Sequence, residues 1–182
     1  MLKRFFVLIF VLFIFFSFVN VSFAKTSKTV AKPTPSPTPV PIVNSFELFW
    51  PLAAGKTMQS KVYFLKTLKE DVRGWLIFGS AQKADYDVFL AIKRMLEAEV
   101  LIKGNVADLA NKTLDSATSD LDKANSALTS AKNSSDIDQG TKDEINNRVS
   151  NLKLFGSSLM NQYPDYKGKL QSVLDKLNSL AI

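Results

Sequence analysis

An all-α fold, an antiparallel bundle of four to five helices over residues 45–182, follows from three features of the sequence. Only Pro51 and Pro164 interrupt those 138 residues. Their apolar side chains recur at spacings of three and four instead of alternating as in a strand. Glycines and capping residues stand where such stretches would stop and start.

Two segments of different character precede the bundle. Lys3 and Arg4 lead into Phe5–Val19, which is apolar except for Ser17, and Ser22 and Ala24 stand three and one before a cleavage point ahead of Lys25. Eight of the chain's 14 phenylalanines fall in this leader, whose layout over residues 1–24 is that of a secretory signal peptide. The alternative is an N-terminal membrane anchor, because Phe5 to Ala24 would make about 30 Å of helix. Asn20 and Ser22 break the apolar run and favour cleavage. Under either reading the positive start directs the remainder out of the cytoplasm, so the expected location is extracytoplasmic, secreted or associated with the cell envelope. Residues 25–44 form a Pro/Thr-rich linker in which Pro33, Pro35, Pro37, Pro39 and Pro41 alternate with Thr, Ser and Val. Alternate prolines fix φ and withhold donors, so this segment is expected to be an extended, disordered spacer rising ~3.1 Å per residue.

The first bundle helix is expected from about Ser60 to Phe78, with Leu65, Leu68, Val72 and Trp75 or Leu76 facing inward and Gly79 ending it. Ser80 is placed to cap a second helix, whose Ala84, Val88, Ala91, Met95, Ala98 and Ile102 form a narrow seam that stops at Gly104. Asn105 is placed to cap a third, where Leu114, Leu121 and Leu128 and Ala117, Ala124 and Ala131 repeat by heptads. A seam of Leu and Ala suits a partner helix and not a large pocket. After a loop over Asn133–Gly140, Thr141 and Glu144 have capping-box spacing for a fourth helix. Its inward face would be Ile145, Val149, Leu152, Phe155 or Gly156, and Leu159. Pro164 prevents continuation, and Leu170, Val173 or Leu174, Leu177 and Leu180 suggest a short terminal helix. Short connections make neighbours in sequence antiparallel.

Composition removes whole classes of chemistry. Without Cys or His there is no disulfide, thiolate nucleophile, imidazole base or His-ligated zinc, and no ferritin-like Glu-x-x-His pair. The formal charge of +6 is concentrated before the bundle: from Ser45 onward 18 Lys and Arg face 17 Asp and Glu, a balance of 18 − 17 = +1. No basic cluster with stacking aromatics marks a nucleic-acid surface, so no nucleic-acid partner is expected.

Two short patterns lie within Lys56–Ile102. Tyr63, Leu65, Lys66 and Glu70 read Tyr-x-Leu-Lys-x-x-x-Glu, and Arg94, Glu97 and Ala98 read Arg-x-x-Glu-Ala. Between them stand Lys69, Arg73, Trp75 to Gly79, Lys83, Ala84 and Ala91. With a signal sequence and a low-complexity spacer ahead of them, these features resemble a bacterial exported helical domain family of unknown function. The resemblance covers about a quarter of the chain well and implies a helical extracytoplasmic domain. It brings no activity, catalytic residue or cofactor with it.

Candidate sites are few. Glu97 and Glu99 point about 200° apart on a helix and cannot form a paired acid and base. Glu70 with Arg73, and Arg94 with Glu97, are i,i+3 pairs that could join across two helices into a structural ion-pair network of Glu70, Arg73, Arg94 and Glu97. Asp108, Asp115 and Asp122 recur by sevens but lack a calcium loop, which makes them a solvated stripe. Phe46, Phe49, Trp50, Tyr63, Trp75 and Phe78 could gather at one end of the bundle as an apolar interaction surface, or close it as a satellite core. The expected function is a non-enzymatic helical interaction or structural module with no catalytic residue, metal or cofactor; the alternative is binding of a small ligand or envelope polymer by the aromatic end. An enclosed pocket with two convergent carboxylates is not expected. The expected partner is a protein or envelope component, with membrane contact only through residues 1–24 if the leader stays.

Overall fold

The computed structural model describes residues 43–134 and 137–182. The leader and the linker as far as residue 42 lie outside them. Within the described residues the chain is all-helical: α1 (Ser45–Phe49), α2 (Tyr63–Trp75), α3 (Ser80–Lys103), α4 (Ala107–Asn133), α5 (Gln139–Gln162), a 3₁₀ turn at Pro164–Tyr166, and α6 (Lys167–Asn178).

Helices α3 to α6 make the bundle. Its four sides are α3 against α4, α3 against α5, α5 against α6 and α4 against α6, so the consecutive helices α4 and α5 sit on a diagonal. Direction can be read from the contacts. Arg148 of α5 meets Asp85 of α3 while Gly156 of α5 lies against Met95, so α3 and α5 run the same way. Lys169 and Lys176 of α6 reach Asp115 and Asp122 of α4 at 2.6 Å each, which makes α4 and α6 parallel as well. The stripe of aspartates is therefore committed at two of its three positions to α6.

The seams fill the core. Ala84, Val88, Ala91, Met95, Ala98 and Ile102 are buried on α3, as are all six heptad residues Leu114, Ala117, Leu121, Ala124, Leu128 and Ala131 on α4. From α5 and α6, Ile145, Leu152, Phe155, Leu159, Leu170 and Leu177 complete it. Gly156 lets α6 approach closely: a Cβ would meet the Leu174 side chain at 3.0 Å, which would have to give by a few tenths of an ångström. Asn44 caps α1 by accepting from the Phe46 amide at 3.0 Å, and α1 seats Phe49 edge-on against Phe155, ring centroids 5.5 Å apart.

Three expected caps are placed differently. Ser80 is the first residue of α3 and offers no capping bond; the preceding turn is made by Gly79 at φ 105°, a conformation that side chains disfavour. Asn105 does not cap α4 but takes the left-handed position at φ 55° between α3 and α4, which Asn tolerates. The start of α5 is capped by Asp138, whose Oδ1 accepts from the Thr141 amide at 2.9 Å and whose Oδ2 accepts from the Thr141 hydroxyl at 2.6 Å. Those bonds, the hydroxyl's first, lower the Asp138 pKa.

The largest correction concerns α2. It is shorter than expected, and its face is inverted: Leu65, Leu68, Val72, Trp75 and Leu76 are exposed, and its one buried residue is Glu70.

Candidate functional site

The inward face of α2 is polar. At 100° per residue, Tyr63, Lys66 and Glu70 share one stripe of the helix, opposite the leucines. That stripe meets the middle of α3, where Arg94 and Glu97 stand three apart and are both buried. Two buried charges with no further partner would be costly, and α2 supplies the partners.

Glu70 is clamped from two sides, by Arg94 Nη2 at 2.5 Å and by Lys93 Nζ. Glu97, fully buried, accepts from Arg94 Nη1 at 3.1 Å, from the Tyr63 hydroxyl at 3.0 Å and from Lys66. On the other side of Arg94, its Nε lies 3.7 Å from Asp120 Oδ2 of α4. Lys66 also donates to the carbonyls of Ala54 and Lys56 at 3.3 and 3.1 Å, which ties the loop before α2 to the same cluster. The Tyr86 hydroxyl donates to the Glu70 carbonyl at 2.9 Å.

The electrostatics follow from this geometry. Burial pushes Glu70 up, but the Lys93 hydrogen bond and Arg94 together outweigh it and leave the carboxyl below its ordinary value. Burial alone would weaken the charge on Arg94; Glu70 and Glu97 reverse that and raise its pKa. Burial lowers Lys66 against the opposing pull of Glu97, and it raises Tyr63, which thus stays a neutral donor. Further along the same seam, burial and then the charge of Asp120 push Asp87 up to about 6. Asp87 Oδ2 and Asp120 Oδ2 have no hydrogen-bond donor.

Of the four residues expected in an ion-pair network, the structure brings Glu70, Arg94 and Glu97 together and leaves Arg73 out. Arg73 lies over the rings of Tyr86 and Phe89, 5.3 and 6.0 Å from their centroids. Sequence reasoning missed Lys66, Lys93 and Asp120 as members. The signal for Lys66 was available, since Tyr63, Lys66 and Glu70 repeat at i, i+3 and i+7 as a buried stripe does. Convergent carboxylates do exist here, but Glu70 and Glu97 converge on a guanidinium and two ammonium groups, which occupy their lone pairs. A cleft of about 220 Å³ that carries Asp71 and Asp120 also carries Arg94 and Lys123. No cluster of metal-ligating side chains occurs among the described residues.

The six aromatic candidates are divided by their surroundings. Phe46 and Trp50 pack edge-on at 4.7 Å, Phe49 is in the core against Phe155, Tyr63 belongs to the charge cluster, and Trp75 and Phe78 are 81% and 86% exposed at the end of α2. Among the described residues no ring contact joins these groups to one another.

Residues 57–152, more than half of the chain, match the family described as a domain of unknown function, DUF5667. The chain belongs to that family. The DUF5667 match runs through α2, α3 and α4 and into α5 as far as Leu152, so it contains every member of the charge cluster, while α1 and α6 lie outside it. Neither a curated protein nor a solved structure matches the chain.

Proposed function

We propose that this DUF5667 protein is an exported, non-enzymatic interaction module of the bacterial cell envelope, and that its working surface, the outer face of α2, beds into the interfacial region of a lipid bilayer. One observation carries this reading: α2 is held by its charges and shows Phe64, Leu65, Leu68, Val72, Trp75 and Leu76 to solvent, all about half exposed or more. A contiguous apolar surface of this kind is uncommon on a monomer without a binding role. The face is a single convex ridge, not a groove. A fluid acyl surface accepts such a ridge without a matching shape. Its composition, Leu, Phe and Trp with Lys69 and Arg73 along one edge, is that of helices lying in the plane of a membrane.

The leader and spacer support the same reading. A spacer of twenty residues would reach roughly 60 Å, which keeps the bundle beside the membrane if the leader stays in place. No helix among the described residues is long and apolar enough to cross a membrane. The contact is therefore proposed as lying along the surface, in addition to any made by residues 1–24.

The chain has two tryptophans, so Trp50→Phe leaves Trp75 as its sole indole reporter. In vesicles of phosphatidylglycerol and phosphatidylcholine with brominated acyl chains, Trp75 of the full chain is expected to be quenched. Adding Leu68→Glu and Val72→Glu is expected to abolish the quenching with the helical content unchanged. An unquenched Trp75, or a dimer sealed by α2 that vesicles do not open, overturns the reading.

A further inference from the structure

A second surface, separate from the apolar face of α2, lies in the open cleft between the loop before α2, α2 itself and α3. It has a volume of about 330 Å³, and its charged lining is Lys56, Lys66, Lys69, Arg73 and Lys93 against the single acid Glu70. Residues 45–182 balance to +1 overall, so five cations against one acid is a local excess of positive charge. Tyr86 and Phe89 form its apolar wall.

The cations divide by what they are already doing. Lys66 is spent structurally, with its donors on Ala54, Lys56 and Glu97. Its bonds hold the loop at Gly55, φ 69°, so that Lys56 forms part of the cleft. Lys93 gives one donor to Glu70 and retains two. Arg73 is the most telling. Its guanidinium is held over Tyr86 and Phe89, and none of its donors meets an acceptor among the described residues. A planar fork of donors, lying over two rings and without an acid among the described residues, is suited to an oxyanion.

We infer that this cleft binds a phosphate-type oxyanion bearing two or more negative charges, with Arg73 as the bidentate donor and Lys56 and Lys93 as flanking charges. Glu97 offsets Lys66 and Glu70 offsets Lys93, so Arg73 and Lys56 carry the excess, which favours a phosphate over a lone carboxylate. The source of the phosphate is either a free, soluble polyanion or the headgroup of an anionic lipid.

The experiment uses the full chain with two probes, inorganic tripolyphosphate in solution and vesicles containing phosphatidylglycerol, with phosphatidylcholine vesicles as the neutral control. Binding to at least one probe is expected at low salt and should weaken as salt rises. Arg73→Gln and Lys56→Gln, both on exposed residues, are each expected to weaken it roughly tenfold without loss of helicity. Lys112→Gln, exposed on α4, should leave it unchanged. Tripolyphosphate binding identifies a soluble anion, and a preference for phosphatidylglycerol that Arg73→Gln removes identifies a headgroup. Absence of binding to both, or equal loss in Lys112→Gln, overturns the inference. Because Arg73 also edges the apolar face of α2, the vesicle arm is read in the Leu68→Glu, Val72→Glu chain, where binding that Arg73→Gln still removes belongs to the cleft and not to the bedding of α2.

Discussion

Helices α2 and α4 are built inside out relative to each other. On α4, leucine and alanine at heptad spacing go into the core, while Asp115 and Asp122 stay at the surface and pair with lysines of α6. On α2 the leucines, valine and tryptophan stay outside, and a glutamate goes in. Both have a clean apolar stripe, so the stripe alone does not choose the side. The neighbour does. One side of α3 carries the core alanines and Met95; the other offers α2 a buried arginine and glutamate that apolar side chains would leave unpaired.

The most damaging substitution should therefore be at the charged junction. Arg94→Met keeps the volume and removes the one cation that Glu70 and Glu97 share, leaving two buried carboxylates short of a partner. A loss of about 3–5 kcal/mol is expected from urea unfolding followed by circular dichroism. A loss below about 1 kcal/mol would mean that the cluster tolerates water and that α2 is not positioned by its charges.

Matched leucine deletions sharpen the same contrast. Leu121→Ala, fully buried on α4, should cost about 2–5 kcal/mol, since it leaves a cavity in the seam. Leu68→Ala, 56% exposed on α2, should fall within about 0.5 kcal/mol of the parent. Equal costs would show that α2 turns its leucines inward in solution.

This contrast also explains how much could be read beforehand. Both α3 and α4 were legible because their apolar spacing, their Gly104 stop and their burial all agree. The existence of α2 was legible, but its orientation was not: that depends on Arg94 and Glu97 being buried, and helical charges are solvated far more often than not. The cluster was half legible for the same reason. Arg94 and Glu97 are near in sequence, whereas Asp120 reaches Arg94 only through the α3–α4 hairpin. Gly79 and Asp138 took the roles assigned to Ser80 and Thr141 because a turn's φ and a cap's register depend on chain direction at the helix start, which side-chain periodicity does not encode.

A smaller effect than the loss of Arg94 or Leu121 tests how buried charge is tolerated between two carboxylates that face each other. Asp87 faces Asp120, with Lys123 and Lys83 as its nearest cations, and burial followed by the Asp120 charge raises it to about 6. A carboxyl raised in the folded state favours folding in its neutral form. Its contribution is complete below the unfolded value of about 3.9 and is lost as pH rises through about 6. Glu70 has the opposite sign, being depressed: its contribution is present at neutral pH and is lost as pH falls through its lowered value. Asp87→Asn keeps the shape and removes only the first dependence. Urea unfolding should show a gain of about 1–2 kcal/mol over the parent at pH 8, shrinking to almost nothing at pH 4. A gain independent of pH would assign the effect to hydrogen bonding. A loss at pH 8 would show that the ionised Asp87 is an accepted member of the seam, held by Lys123, and that α3 meets α4 with charge as it meets α2.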